Sequence, residues 1–395
     1  MKISLITLVL LLIAGCSSTP TIPVENDNNP RKRVETAIAR EILEEIRQDL
    51  PQLKGSIRST YLHQKTTQFR RSVDLGALKS ATRQEYTLLE YLNSAEQVRW
   101  HGENYESRIR AMSSLSVNLL DLEALLLNEL TRIDQTLAVL IEDPALDVLS
   151  HMRATRDAAI YPDDSFEGRQ GYLDALEVEM QSSFKRWQHL LAGVGRGIEL
   201  RGEELGGPTF YYKDGTLSID LSDVGTLPDF ELASIAAFYG YPGRSALSPA
   251  GTSRSLRSLL QLPGYSMGWA WYILDKDAER YVDQPQLHLY FSKLMTSLAL
   301  ADLRLHTNAW SNDEATNTIF SQTPYSMNRI GNMLATVQSR PGYYLSAFAG
   351  KGKLTELQSR CVSACESTLL QRLITLGPLP FDLLEEHLVA ERLIQ

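Results

Sequence analysis

The chain has 395 residues, 43% of them hydrophobic and 22% charged, with a mean hydropathy of −0.19. Those values describe a soluble globular body large enough to bury one big core or two smaller ones. The formal net charge is −9; an acidic surface with no basic-aromatic platform argues against nucleic acid as a partner.

Met1-Lys2 gives a short positive start, and Ile3 to Ala14 is an apolar run with few polar breaks. The run is too short to span a bilayer and has the length of a signal-peptide core. It ends in Ile13-Ala14-Gly15-Cys16, which resembles a bacterial lipobox. The resemblance implies removal of residues 1–15 as a signal peptide and lipidation of Cys16. The next residue is Ser17 and not Asp. In lipoproteins of Gram-negative type this implies the periplasmic face of the outer membrane. Residues 16–30 are rich in Ser, Thr, Pro, Asn and Asp and read as a flexible tether reaching about 20 Å.

Two regions follow, 31–204 and 205–395, expected as one continuous body. In the first, Val34, Ile38, Ile42, Ile46 and Leu50 recur every four residues before Pro51, predicting an amphipathic helix. Further helices are predicted over 84–100, as one long element over 108–143, and over 165–204. Asp121, Glu123, Glu129, Arg132 and Asp134 interrupt the second of these, which marks a bundle helix and not a membrane span. Thr209-Phe210-Tyr211-Tyr212 and Leu217 to Leu221 flank an Asp-Gly turn, the signal of a β-hairpin near 209–221. Helices are then expected from Asp229 to Phe238, over 256–262, 268–281, 286–305 and 312–321, and to the end. Ser311 and Glu314 have capping-box spacing. The fold class is mainly α, bundle-like, with one small hairpin. Cys361 and Cys365 lie four apart in a helical pattern and are expected on one face, as a disulfide or as two buried thiols.

The second half carries a series of motifs in order: Phe210-Tyr211-Tyr212 with Leu217-x-Ile219-x-Leu221, then Phe238-Tyr239-Gly240-Tyr241-Pro242-Gly243-Arg244-Ser245. Next come Gly268-Trp269-Ala270-Trp271-Tyr272, Asp302 to Trp310, Pro341-Gly342 with Ser346 and Gly350, and Gly377-x-Leu379-Pro380 with Leu384-Glu385. Over roughly 205–390 this series resembles the bacterial domain of unknown function 885 family, with its zinc-peptidase-like members. The resemblance implies His-Glu-x-x-Pro-Gly-His-His at the second motif, an additional Glu before Gly268, and hydrolytic zinc. This chain keeps the Pro-Gly and replaces the rest. Phe238 and Tyr239 stand for His-Glu, Arg244 and Ser245 for the His pair, and Met267 for the Glu. Tyr343, Ala347 and Phe348 replace a Gln, a Tyr and a Lys further on. Phe has no lone pair, and Arg does not deprotonate to ligate, so neither a metal nor another cofactor is expected. The seven histidines (His63, His101, His151, His189, His288, His306, His387) include no pair at ligand spacing.

What remains is a possible cleft of Tyr211, Tyr212, Trp271, Asp302, His306 and Tyr343. Its aromatics are either pocket or core. Asp302 and His306, at i,i+4, are either an acid–base pair or a helix-terminal hydrogen bond. Gly264-Tyr265-Ser266-Met267-Gly268 has the letters of a nucleophile elbow but no parallel βα pattern around it. The favoured expectation is a membrane-anchored lipoprotein with a catalytically degenerate domain that binds a peptide, an envelope component or a protein partner. The alternatives are a non-zinc hydrolase using Ser266 or Asp302/His306, and an assembly factor working through its long helices.

Overall fold

The computed structural model describes residues 29–395, apart from 102–103, 142–146, 191–197, 205–208, 214, 248–255, 261, 279–283 and 362–364. The signal peptide, Cys16 and most of the tether lie outside the described residues. The architecture is mainly α, with fifteen helices and one small sheet among the described residues.

Helix α1 (Pro30–Asp49) starts earlier than the tether boundary suggests, because Asn29 caps it and Pro30 occupies its first turn. Helix α2 (Gly55–Ser72) was not anticipated. Its buried face is Ser59, Leu62, Thr66 and Phe69, half of it small polar residues that hide the helical period. Helix α3 (Ser80–His101) follows. The long element expected over 108–143 is two helices, α4 (Tyr105–Ser113) and α5 (Leu119–Leu140). Ser114 turns left-handed at φ 62° to end α4, and the Asn118 side chain caps α5 by accepting from the Leu120 N–H. After α6 (Val148–Ala158), α7 (Phe166–Trp187) also stops earlier than expected. The sequence beyond it carries Gly193, Gly195 and Gly197, each a poor helix former.

Residues 199–203 are a strand and not helix. Strand β1 (Glu199–Glu203) pairs in parallel with β3 (Thr216–Asp220), which pairs antiparallel with β2 (Phe210–Lys213). The expected hairpin becomes a three-stranded sheet in the order β1-β3-β2. Leu217 and Ile219 of the central strand are fully buried. Helices α8 (Leu232–Tyr239), α9 (Pro263–Ala278), α10 (Pro285–His306), α11 (Asn312–Gln322) and α12 (Met327–Ser339) come next. The last three are α13 (Tyr343–Ser359), α14 (Glu366–Leu376) and α15 (Phe381–Ala390). Where a helix was expected over 256–262, the described residues form only a short 3-10 turn, 256–259. The Ser311–Glu314 capping box is formed on α11. Helix α13 ends at Ser359 and α14 begins at Glu366, so Cys361 and Cys365 do not share a helix face. They flank the connection instead, with Cα atoms 5.8 Å apart and sulfurs in bonding contact.

Two cores meet along α9 and α13. Met267, Ala270, Trp271 and Leu274 of α9 face one core, built with the sheet, α5, α8, α10 and α12. Tyr265, Trp269, Tyr272 and Ile273 face the other, built with α1, α2, α3, α14 and α15. The two helices touch through backbone. A methyl group on Gly350 would run into the Gly264 carbonyl. One on Gly268 would lie 2.8 Å from the Lys351 nitrogen and 2.9 Å from the Ala347 carbonyl oxygen. Neither helix can yield without parting one of the cores. Gly350→Ala is expected to lower stability by roughly 3 kcal/mol in urea unfolding, whereas Gly352→Ala, whose Cβ would meet nothing within 4 Å, should be neutral or slightly stabilising.

Candidate functional site

The Pro-Gly turn survives for a packing reason. The α8 carbonyls of Ala237 and Phe238 press so closely on Gly243 that a side chain there would collide with them. Trp269 Nε1 holds the turn by donating to the carbonyls of Pro242 (2.8 Å) and Gly243 (3.2 Å), and Ser183 Oγ donates to that of Tyr241 (2.9 Å). The turn thus joins α7, α8 and α9 whether or not chemistry occurs beside it.

The replaced positions divide into core and cleft. Phe238 is fully buried and packs edge-on against Phe291 of α10. Ser245 is also buried, and its hydroxyl has no hydrogen-bond partner among the described residues. Tyr239, Met267 and Tyr343 instead converge on one cleft, with Thr209, Phe210, Tyr344, the α12 residues Arg329, Asn332, Met333 and Thr336, and Arg340 just after that helix. Its empty volume is about 430 Å³, part of it open to solvent. Arg244 lies beside it, its guanidinium 5.4 Å from the Tyr212 ring and 5.8 Å from the Tyr239 ring. Zinc hydrolysis needs about three N/O ligands, an open position and a general base. These residues do not fit such an ion. Among the described residues, no three His, Cys, Asp or Glu groups stand close enough together to hold one.

The other expected cleft residues lie elsewhere. Tyr211 is 43% exposed, outside the lining, because alternation along β2 turns it to the opposite side from Phe210. Tyr212 underlies Arg244 and does not line the cleft. Trp271 is wholly buried, with its ring against Phe348 and Lys351.

Asp302 and His306 do pair, with His306 Nδ1 3.1 Å from Asp302 Oδ1, but Asp302 is engaged as a cap. It accepts from the backbone N–H groups of Gly342 (2.8 Å), Tyr344 (3.0 Å) and Leu345 (3.2 Å), and from the Tyr105 hydroxyl (2.9 Å). A fully buried carboxylate thus satisfies the start of α13 and favours its dipole. Ser266 lies inside α9, opened by Pro263, and its hydroxyl donates back to the Leu262 carbonyl (3.1 Å). The Gly-x-Ser-x-Gly string is the helix-packing seam of α9 and not a strand-to-helix elbow.

Two buried polar assemblies escaped the sequence reading. Under the cleft, Arg329 donates to both carboxylate oxygens of Glu231 (3.1 and 2.6 Å) and to Thr209 Oγ1 (3.2 Å). Burial works to lower the Arg329 pKa, but the adjacent Glu231 charge outweighs it and the guanidinium is held above its usual range. The signal was available: 329, 332, 333, 336 and 340 recur at helical spacing between a Ser cap and Pro341.

The second assembly links Ser234, His288 and Asp277. Ser234 Oγ is 3.1 Å from His288 Nδ1, and His288 Nε2 is 3.0 Å from Asp277 Oδ2. The order of atoms is that of a hydrolytic relay, but all three residues are fully buried. Asp277 also accepts from Trp187 Nε1 (2.6 Å) and both ends of the Arg186 fork (3.2 and 2.8 Å). Burial works to raise Asp277, while His288 and Arg186 outweigh it and hold the carboxyl at about 2. With no exposed atom for a substrate to reach, the chain is a tie between α7, α8, α9 and α10. No sequence spacing announces it, since its members come from four helices.

This mainly helical architecture with an aromatic, guanidinium-lined cleft has relatives. The chain belongs to the family described as bacterial protein of unknown function (DUF885), whose profile matches residues 23–388. The match therefore takes in the N-terminal helices as well as the half from which the resemblance was read. Two solved structures share the fold. One is a "putative lipoprotein" from Colwellia psychrerythraea, 16% identical, with a TM-score of 0.63 over 90% of this chain and 74% of that one. Another is a "putative lipoprotein of unknown function" from Shewanella oneidensis, 11% identical, with a TM-score of 0.56 over 91% and 72%. No curated protein matches the chain.

The Asp302 cap makes two expectations. Asp302→Asn sets an NH₂ group against backbone N–H donors and should cost roughly 3 kcal/mol in urea unfolding. The His306 pKa is raised, first by its hydrogen bond to Asp302, with burial opposing. Its stabilisation is therefore full below the ordinary histidine value of about 6.5 and is lost as pH rises through the raised value. The stability gap between wild type and His306→Gln should be widest near pH 5.5–6 and close toward alkaline pH; a gap that widens with pH contradicts the pairing.

Proposed function

We propose that this protein is a lipid-anchored binding protein of the bacterial envelope, whose peptidase-like domain has no catalytic metal and works through the cleft. The observation that carries this reading is the convergence of Tyr239, Met267 and Tyr343 on one cleft whose lining, among the described residues, contains no carboxylate, histidine or cysteine. At positions where the family resemblance implies ligands, such side chains offer contact surface and hydrogen bonds in place of coordination. The anchor reading rests on the Cys16 lipobox, and the outer-membrane placement on Ser17. An oxidising compartment also suits a Cys361–Cys365 bridge. No helix among the described residues is long and apolar enough to cross a membrane, which is compatible with a lipid as the attachment. The hydrolase reading loses support where Ser266 is tied back into its helix and Asp302 caps α13.

Metal analysis of the purified native protein after zinc loading and desalting tests the reading. Zinc well below one equivalent is expected, together with no peptide turnover above that of Tyr343→Ala. One tightly held zinc per chain with turnover lost in Tyr343→Ala overturns it. For the anchor, wild type should fractionate with membranes and Cys16→Ser with the soluble material; identical fractionation rejects lipidation at Cys16.

A further inference from the structure

The charge around the cleft runs against that of the molecule. The chain is formally −9, yet among the described residues the lining holds Arg329 and Arg340 and no acid. Arg244 stands alongside on the Tyr212 and Tyr239 rings. Glu231 neutralises Arg329. Arg340 and Arg244 form no ion pair among the described residues. Arg340 is exposed, its guanidinium 5.6 Å from the Tyr343 ring. A positive cleft on an acidic protein concentrates anions from solution.

From this we infer that the cleft takes the free C-terminal carboxylate of a peptide, with Arg340 as the carboxylate-binding residue and the tyrosine and methionine walls holding the residues before it. This inference rests on the binding-cleft reading above and adds the ligand class. Three observations select the class. A guanidinium fork matches the two oxygens of a carboxylate, and stacking on a ring pre-orients it. Phosphate sites generally use backbone N–H groups at a helix start, but those of Gly342, Tyr344 and Leu345 at the start of α13 are already taken by Asp302. Sugars present many hydroxyl donors, and no carboxylate in the lining can accept from them. Phe210, Tyr239, Tyr343 and Tyr344, with the adaptable thioethers of Met267 and Met333, suit apolar and aromatic side chains.

Arg340 is the residue to change, because it is exposed and its loss leaves the Arg329–Glu231 pair intact. The mature chain in detergent micelles is titrated calorimetrically with acetyl-Ala-Phe-Ala bearing a free carboxylate, with its C-terminal amide, and with inorganic phosphate. The acid should bind at least about tenfold more tightly than the amide, as loss of a charge-assisted hydrogen bond implies. It should also bind more tightly than phosphate. Arg340→Gln should abolish the advantage of the acid over the amide, and Arg340→Lys should restore part of it. Tyr343→Ala should weaken acid and amide together. Equal binding of acid and amide, with both lost in Tyr343→Ala, overturns the carboxylate inference and leaves the binding cleft standing. Phosphate binding as tightly as the acid, with Arg340→Gln reducing both alike, reduces the site to a simple anion site and overturns the inference. If neither peptide binds the wild-type chain, the inference and the peptide-binding cleft fall together.

Discussion

The backbone contact between α9 and α13 is the constraint on which the rest of the molecule depends. Gly264, Gly268 and Gly350 let two helices approach until backbone meets backbone, so the distance between the two cores is fixed by carbonyl and Cα atoms and not by adaptable side chains. The same glycines fix the site. Met267 sits between Gly264 and Gly268 on α9, while Tyr343 and Tyr344 open α13, so one crossing brings them to a single cleft. Gly264 also abuts Ser113 at the end of α4, so the same close approach brings α4 against α9.

Several of the acids that could have served chemistry near this crossing are engaged in holding it. Asp302 caps α13, Glu231 pairs with Arg329 beneath the cleft, and Asp277 ties α9 to α7 and α10 through Arg186, Trp187 and His288. Removing one partner of such an assembly leaves a buried charge or donor uncompensated, which costs far more than a surface pair contributes. Fixed acids below, with the exposed Arg340 and the partly buried Arg244 at the edge, give the cleft a positive rim on a negative protein. Such a cleft suits recognition of an anionic ligand by side chains alone.

Much of this was legible in the sequence where the signal is local. Ser311 with Glu314 and the Asp-Gly turn each announce an element boundary, because capping and turn chemistry act within a few residues. The residues of the Pro-Gly motif were legible as side chains poorly suited to hold a metal. What the sequence hid depends on partners distant in the chain. Strand β1 exists only because β3 pairs with it, and α2 shows little apolar period because Ser59 and Thr66 occupy its buried face. The Gly-x-Ser-x-Gly string carried two readings until α13 was seen against it. Arg329 and Arg340 drew no reading from the sequence, since the cleft they line is completed by residues about 60 to 130 positions earlier, from Thr209 to Met267.

The claim at the centre of this account is that the cleft binds a ligand through its side chains and holds no metal. Methyl NMR of a chain labelled at its methionines reads it directly, because Met267 and Met333 both line the cleft. The account predicts that both signals shift on titration with a free-acid tripeptide and stay in place with one equivalent of zinc. Shifts of both signals that saturate at one equivalent of zinc, with none on adding peptide, would contradict it.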